Sequence, residues 1–259
     1  MSFLEIYLWG FVAIMALLTI LWIWSVVIKN ASIIDPFWGF GFVVLVWFYL
    51  YNTEVNPRSL FVVSLVTIWG LRLSIFLFIR NMGHGEDFRY QKFREDYGPE
   101  RYWWVSFFQV FLLQGVLMLI VSAPLLGTLL NAGDGSLGVI DYVIASIWLI
   151  GLMFEAGGDY QLTKFKKNPA NKGKVLNTGF WKYTRHPNYF GDSVIWWSFG
   201  LFALTSGSYY TIIGSILMNL LLLKVSGVAL LERTLKKSKP EYEEYVRKTN
   251  SFFPWFPKN

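Results

Sequence analysis

Apolar residues run along this chain in seven long stretches, at about 4–28, 32–51, 59–79, 105–127, 137–157, 188–206 and 209–231. Each is close to the roughly 20 residues that a helix needs to cross the hydrocarbon of a bilayer. The runs are continuous rather than ten-residue alternating segments, which predicts helices and not barrel strands. The expected fold class is therefore all-α, an integral membrane bundle of seven transmembrane helices in a single domain over 1–259. The first stretch has no cationic segment before it and is longer than a signal-peptide core, so it reads as a span. No internal repeat of the kind seen in many transporters is visible.

Composition agrees. The chain is 54% hydrophobic and only 15% charged, against ~25% charged in soluble domains, and its mean hydropathy is +0.42. Folded in water it would expose more apolar surface than water tolerates. The chain contains no Cys, which removes disulfides, thiolate catalysis and Cys-ligated metals. The net charge of +6 follows membrane sidedness. Lys and Arg cluster after the first, third and fifth stretches and in the tail, which together hold 20 of the 23. That pattern predicts an N-terminus outside and a C-terminus in the cytoplasm, in a bacterial inner membrane or an ER-type membrane. The loops near 80–104 and 158–187 and the tail 232–259 are then cytoplasmic. Basic residues that alternate with spans do not make a nucleic-acid surface, so no nucleic-acid partner is expected.

A charge at the centre of a membrane helix costs about 2.5–3.5 kcal/mol on insertion scales, so each one needs an account. Asp35 falls in "IIDPFWGF" and Arg72 in "WGLRLSIF". Glu155 and Asp159 leave the fifth stretch, and Asn188 and Asp192 open the sixth. Each of these pairs is spaced four residues apart and so shares a helical face. Lys224 and Glu232 lie near the end of the seventh. Two readings stand side by side: ion pairs that staple helices together, or a buried polar pocket built from several helices. Arg72 and Lys224 can also reach the interface by snorkelling.

The segment 158–192, "GDYQLTKFKKNPANKGKVLNTGFWKYTRHPNYFGD", is the densest in chemistry. Lys164, Lys166, Lys167, Lys172 and Lys174 make a positive field suited to phosphate. Trp181, Tyr183 and Tyr189 offer stacking faces, Arg185 offers a planar fork of donors, and His186 is one of two histidines. Pro187 suits the first turn of a helix, whose free N–H groups favour an anion. The same segment can instead seat lipid headgroups with its lysines and rings. There is no G-x-G-x-x-G, Walker A or H-E-x-x-H pattern, and Glu155 and Asp159 lie among cations, which favours salt bridges. No metal is expected.

Taken together, "IIDPFWGFGF", "WGLRLS", "RNMGHGEDFRY", "TGFWKYTRHPNYFGD" and the tail "LLERTLKKSKPEYEEYVRKTNSFFPWFP" resemble the membrane steroid 5α-reductase superfamily. The nearest branch is the bacterial-type steroid oxidoreductase family (DUF1295-like). Sterol reductases and isoprenylcysteine carboxyl methyltransferases share parts of the pattern. The resemblance implies a seven-helix NAD(P)H-dependent oxidoreductase acting on CH–CH groups, with NADPH bound on the cytoplasmic side. Hydride would pass to an enone of a steroid-like or other lipophilic substrate. Asp35 falls where a carboxyl donates to the substrate carbonyl. Arg80 and Arg89 fall in the family's basic loop, Asp159 and Lys166 at cofactor positions, and Tyr183, Asn188 and Asp192 in the nucleotide pocket. Glu232 falls near a polar position of the tail. Trp69 stands where the steroid enzymes carry a carbonyl-binding tyrosine, and its N–H can donate a hydrogen bond but not a proton. Arg72, Trp181, Arg185, His186 and Tyr189 complete the candidate cofactor contacts. The alternative is an S-adenosylmethionine-dependent methyltransferase acting on a lipid-like acceptor.

The charge pattern makes a direct prediction. In intact vesicles, Asp134→Cys should react only with a reagent outside, and Ala170→Cys only with one inside. Labelling of both from one side would overturn the topology.

Overall fold

Ser2 opens the first helix with a reciprocal cap. Its hydroxyl accepts the Glu5 N–H, and the Glu5 carboxylate accepts the Ser2 N–H at 2.7 Å. The helix that follows, α1 (Phe3–Ile28), leaves Leu8, Val12, Ile20, Ile23 and Val27 exposed, a surface suited to lipid. This computed structural model describes residues 1–133, 135–225, 232 and 242–258. Among the described residues there are helices and turns but no strand. After α1 come α2 (Phe37–Tyr51), α3 (Pro57–Asn81), α4 (Phe88–Tyr97), α5 (Pro99–Ser106) and α6 (Leu113–Leu130). Then follow α7 (Val139–Lys167), α8 (Pro187–Thr205), α9 (Ile213–Leu220) and α10 (Tyr242–Lys248). A π turn over Phe107–Leu112 joins α5 and α6 into one 32-residue run, Pro99–Leu130.

Among the described residues, four helices are long and apolar enough to cross a membrane: Phe3–Ile28, Pro57–Asn81, Pro99–Leu130 and Val139–Lys167. They match the first, third, fourth and fifth predicted spans, and the chain is an integral membrane protein whose described residues are all helix and turn. The other three stretches take different forms. The second yields a helix of only 15 residues, α2. Before it, Ala31–Ile34 makes a 3-10 turn capped by Asn30, whose side chain accepts the Ser32 N–H at 3.0 Å. Pro36 is the N-cap of α2, a place where its missing N–H costs nothing. Asp35 therefore lies in the connection between α1 and α2, before the helix. The sixth stretch gives α8, 19 residues long. The seventh is broken into a 3-10 turn at Tyr209–Ile212, α9 and a π turn at Leu221–Val225. The rest of that predicted span, tail residues 233–241 and Asp134 lie outside the described residues. In the other direction, α7 continues well past residue 157 and carries Glu155, Asp159 and Lys164 within the helix.

The chain forms two compact units, one of Met1–Leu137 with Ala203–Gly214 and one of Gly138–Phe202 with Ser215–Asn259. In the first, α2 and α3 touch backbone to backbone at two glycines. A Cβ on Gly39 would sit 2.4 Å from the Gly70 carbonyl oxygen, and one on Gly70 would sit 2.6 Å from that of Gly39. Helices in lipid gain nothing by hiding from water, so close approach through small residues supplies the attraction. Around this crossing, Trp69 is fully buried with its ring 5.8 Å from that of Phe42. Arg58 is buried too, and donates to Ser206 Oγ at 2.7 Å and Thr205 Oγ1 at 2.8 Å. In the second unit α7 and α8 meet in the same way. A Cβ on Gly191 would lie 2.4 Å from both the Gly151 oxygen and the Glu155 nitrogen.

A methyl group at these crossings must push helices apart. Gly70→Ala should cost about 1–3 kcal/mol and lower the thermal unfolding midpoint in detergent. Gly85→Ala, where an added Cβ meets nothing within 4 Å, should leave it unchanged.

Candidate functional site

In the first unit, the segment after α3 folds back onto the connection between α1 and α2. Asp87 caps α4, its Oδ1 accepting the Arg89 N–H at 3.0 Å and Arg89 Nε at 2.9 Å. That fixes Arg89 and Tyr90 on the first turn of α4, facing Asp35. Arg89 Nη2 donates to Asp35 Oδ2 at 2.9 Å, and the Tyr90 hydroxyl donates to Asp35 Oδ1 at 2.6 Å. Glu86 ties the segment down further. Its Oε1 accepts the Ala31 N–H at 2.7 Å and Arg94 Nη2 at 2.9 Å, and the Arg94 guanidinium lies 4.6 Å from the centre of the Tyr102 ring. The Asp35 side chain retains 16% exposure and that of Arg89 36%, so the cluster can be reached. Burial pushes the Asp35 carboxyl up, outweighing the Tyr90 hydrogen bond and the Arg89 charge. Burial, reinforced by the charge on Asp35, also raises the Tyr90 phenol, which stays protonated.

In the second unit, polar groups gather where α8 begins. Asn188 Nδ2 donates to Asp159 Oδ1 at 3.2 Å, and Glu155, Asp159 and Asp192 are all buried. Trp181 Nε1 donates to the Gly158 carbonyl at 3.1 Å. Arg185 is the hub. Its Nε and Nη2 donate to Glu232 Oε1 at 2.8 and 2.5 Å, and its Nη1 to the Val246 and Thr249 carbonyls at 3.2 and 2.5 Å. His186 Nε2 lies 3.3 Å from Glu232 Oε1, and the His186 ring stacks on Tyr189 at 5.8 Å. The backbone joins in. The Arg185 N–H donates to the Asn250 carbonyl at 2.9 Å, and the Trp255 N–H to the Tyr183 carbonyl at 3.0 Å. Tyr245 donates its hydroxyl to the Trp181 carbonyl. Arg185 thus clamps the C-terminal segment to the start of α8, a use of the guanidinium that its sequence context does not show.

The structure brings Asp35 together with Arg89, Asp159 with Asn188, and Arg185 with His186 and Glu232. The remaining predicted residues take separate places. Trp69 packs on Phe42 inside the first unit, and Arg72 is half-buried on α3. Arg80, in the last turn of α3, is exposed and donates to Asn81 Oδ1 at 3.1 Å. The Tyr183 ring lies 6.0 Å from that of Phe256, and Lys166 lines a cavity at the end of α7. Tyr90, Glu86 and Arg94 escaped the sequence reading. The signal was there in "GEDFRY", where a tyrosine directly follows Arg89.

The family described as "Protein of unknown function (DUF1295)" matches residues 21–249. The chain belongs to this family. It is a steroid 5α-reductase-like family, and its member here is similar to an uncharacterized protein of Schizosaccharomyces pombe, 25% identical over 261 residues, 91% of this chain and 76% of that protein. Shorter stretches match two enzymes. A probable O-methyltransferase of Ustilaginoidea virens is 38% identical over 64 residues, 25% of this chain and 22% of that protein. Delta(14)-sterol reductase of Arabidopsis thaliana is 38% identical over 65 residues, 21% of this chain and 18% of that protein. No solved structure matches the chain. These relationships mark the DUF1295 protein as related to membrane reductases and similar enzymes.

The Arg185 clamp should respond to acid. The hydrogen bond with His186, opposed by burial and joined by the Arg185 bonds, pulls the Glu232 carboxyl from 4.5 down to about 2. A depressed carboxylate contributes stability that is complete above its unfolded value and fades as pH falls from 4.5 through about 2. Protease cleavage after Arg247 or Lys248 should therefore accelerate across that window. Glu232→Gln should cleave faster at neutral pH and lose most of the pH dependence. An unchanged profile in the variant would show that the clamp does not hold the tail.

Proposed function

We propose that the chain is a membrane-embedded, NADPH-dependent reductase of the bacterial-type steroid oxidoreductase branch. It would transfer hydride to the C=C of an enone in a steroid-like or other lipophilic substrate. The observation that carries this reading is the Asp35 cluster, a half-buried carboxyl held between a phenol and a guanidinium. Hydride addition to the β-carbon of an enone puts negative charge on the carbonyl oxygen. That charge is best met by donors already in place where water is scarce. A carboxyl pushed up by burial has the direction required of a group that holds a proton for that oxygen. Tyr90 orients Asp35 Oδ1, and Arg89 orients Oδ2 and lowers the cost of negative charge nearby.

NADPH, when bound, supplies the hydride. The residues at the start of α8 suit such a ligand by the chemistry of their side chains. Asp159 and Asp192 are acceptors of the kind ribose hydroxyls need, and Asn188 offers both a donor and an acceptor. Lys164 and Lys182, both exposed, supply positive charge for phosphates. In this reading the basic loops and the tail face the cytoplasm.

The stretch shared with the probable O-methyltransferase supports a second reading, methyl transfer from S-adenosylmethionine to a lipid-like acceptor. That donor has no phosphate, so the run of lysines weighs toward NADPH.

Equilibrium binding to the detergent-purified protein separates the two. NADPH should bind more tightly than NADH, and S-adenosylmethionine should not compete. Asp35→Asn should keep NADPH affinity and fold while turnover of a 3-oxo-4-ene steroid probe falls by about 10²–10³, the scale of one lost oxyanion donor. Asp35→Leu should be lower still, and Tyr90→Phe should reduce turnover while sparing cofactor affinity. Tight S-adenosylmethionine binding without NADPH binding would replace the reductase with the methyltransferase.

A further inference from the structure

In the first unit the Glu86 side chain is 8% exposed and turns both of its oxygens toward protein donors. Oε1 accepts the Ala31 N–H at 2.7 Å and Arg94 Nη2 at 2.9 Å, and Oε2 accepts Arg94 Nε at 3.1 Å. The contact with Arg94 is a two-point fork, which fixes direction as well as distance. Ala31 and Arg94 belong to the two pieces of chain that meet at Asp35. Ala31 opens the 3-10 turn that ends at Ile34, and Asp35 follows as its C-cap, its N–H donating to the Ser32 carbonyl at 3.2 Å. Arg94 lies on α4, four residues after Tyr90 and so on the same helical face. One carboxylate thus ties the turn that presents Asp35 to the helix that presents Arg89 and Tyr90. We infer that Glu86 is a positioning residue for the proposed reduction, which holds the Asp35 carboxyl in register with Arg89 and Tyr90 while touching neither substrate nor cofactor; this rests on the reductase reading of the Asp35 cluster.

The bland account is an ion pair that stabilises a loop and nothing more. Exposed pairs of that kind contribute little, but Glu86 is withdrawn from solvent and its neighbours reinforce the same junction. The Asp87 N–H donates to Ser32 Oγ at 3.3 Å, Ser32 Oγ donates to Asn30 Oδ1 at 2.5 Å, and Gln91 Nε2 donates to the Glu86 carbonyl at 2.6 Å. The Arg94 guanidinium lies 4.6 Å from the centre of the buried Tyr102 ring, which steadies α4 against α5. The chain on either side of this segment is open by contrast. Gly83 and Gly98 take positive φ of 78° and 81°, and a Cβ on Gly83, Gly85 or Gly98 would meet nothing within 4 Å. Packing at these glycines therefore does not place α4 against the turn, and the bonds made by Glu86 and its neighbours do.

The consequence for chemistry follows from the distances at Asp35. Arg89 Nη2 lies 2.9 Å from Oδ2 and the Tyr90 hydroxyl 2.6 Å from Oδ1. Hydrogen bonds weaken steeply as they bend or lengthen, so a small slip of α4 along the turn unmakes both. Asp35 would then lose the partners that orient it toward a carbonyl oxygen, and the loss would fall on the chemical step rather than on binding.

The test uses the full chain in detergent with NADPH and a 3-oxo-4-ene steroid. Glu86→Gln keeps an oxygen for the Ala31 N–H but loses the charged fork to Arg94, and should lower kcat by about tenfold; Glu86→Ala loses both links and should lower it by about 10²-fold, the scale of a misplacement of about 1 Å. KM and NADPH affinity should stay as they are. Arg94→Ala should match Glu86→Ala, and the double variant should be no worse than either, as for two parts of one device. Lys92→Ala, at an exposed position of α4, should behave as the unmodified chain. Hydrogen exchange supplies a readout without turnover. Peptides covering 29–36 and 86–97 should exchange faster together in Glu86→Ala while those covering 113–130 do not, which separates local release from loss of fold. Normal kcat in Glu86→Ala, with or without faster exchange, would make Glu86 a staple of the fold and overturn the inference. A raised KM or weakened NADPH binding at constant kcat would make it a ligand contact and also overturn it. An unmodified chain that reduces no enone would reject the reductase reading and this role with it, a result distinct from an active chain whose Glu86 variants are normal.

Discussion

A chain this apolar has no water inside the bilayer with which to satisfy its polar side chains, so each must find its partner within the protein. That constraint organises both units. The polar groups collect at helix ends, where backbone N–H and carbonyl groups are free to take part. In the first unit the connection between α1 and α2 is met by Glu86, Asp87, Arg89 and Tyr90 from the segment after α3. In the second, Arg185 gathers Glu232 and two carbonyls of the C-terminal segment. Between these ends the helices approach through glycine pairs, Gly39 with Gly70 and Gly151 with Gly191, where any side chain would collide with backbone.

The two clusters differ in what their geometry leaves available. Arg185 is 7% exposed and its donors go to protein acceptors, so its first effect is to order the start of α8 and the tail. Among the described residues Asp35 is held by the side chains of Arg89 and Tyr90, and it keeps some exposure. Burial pushes its carboxyl up, and it lies near a surface that a ligand can reach.

Much of this was legible along the chain. Long apolar runs fix helices because a backbone in lipid must satisfy its own hydrogen bonds. Four of those runs became membrane-length helices nearly where the pattern placed them. Their ends were less legible. The second helix starts late because Pro36 and the Asn30 cap close a separate turn first, and α7 runs on through polar residues because Glu155 and Asp159 are buried rather than solvated. Hydrophobicity alone does not record either effect.

The sequence by itself determined the solvent, the helical class, the family and the short list of residues with chemistry to offer. Spacing four apart correctly put Glu155 with Asp159, and Asn188 with Asp192, on shared faces, since that is a local property of a helix. Only the tertiary structure decided the partners. Asp35 finds Arg89 and Tyr90 across 54 and 55 residues, Asp159 finds Asn188 across 29, and Arg185 finds Glu232 across 47. Such pairings depend on which helix ends are brought together, and that is set by the glycine crossings and turn geometry of the whole unit. A charge can be read from one position of the chain, but whether it is spent on holding the fold or left for a ligand is decided by the groups packed around it.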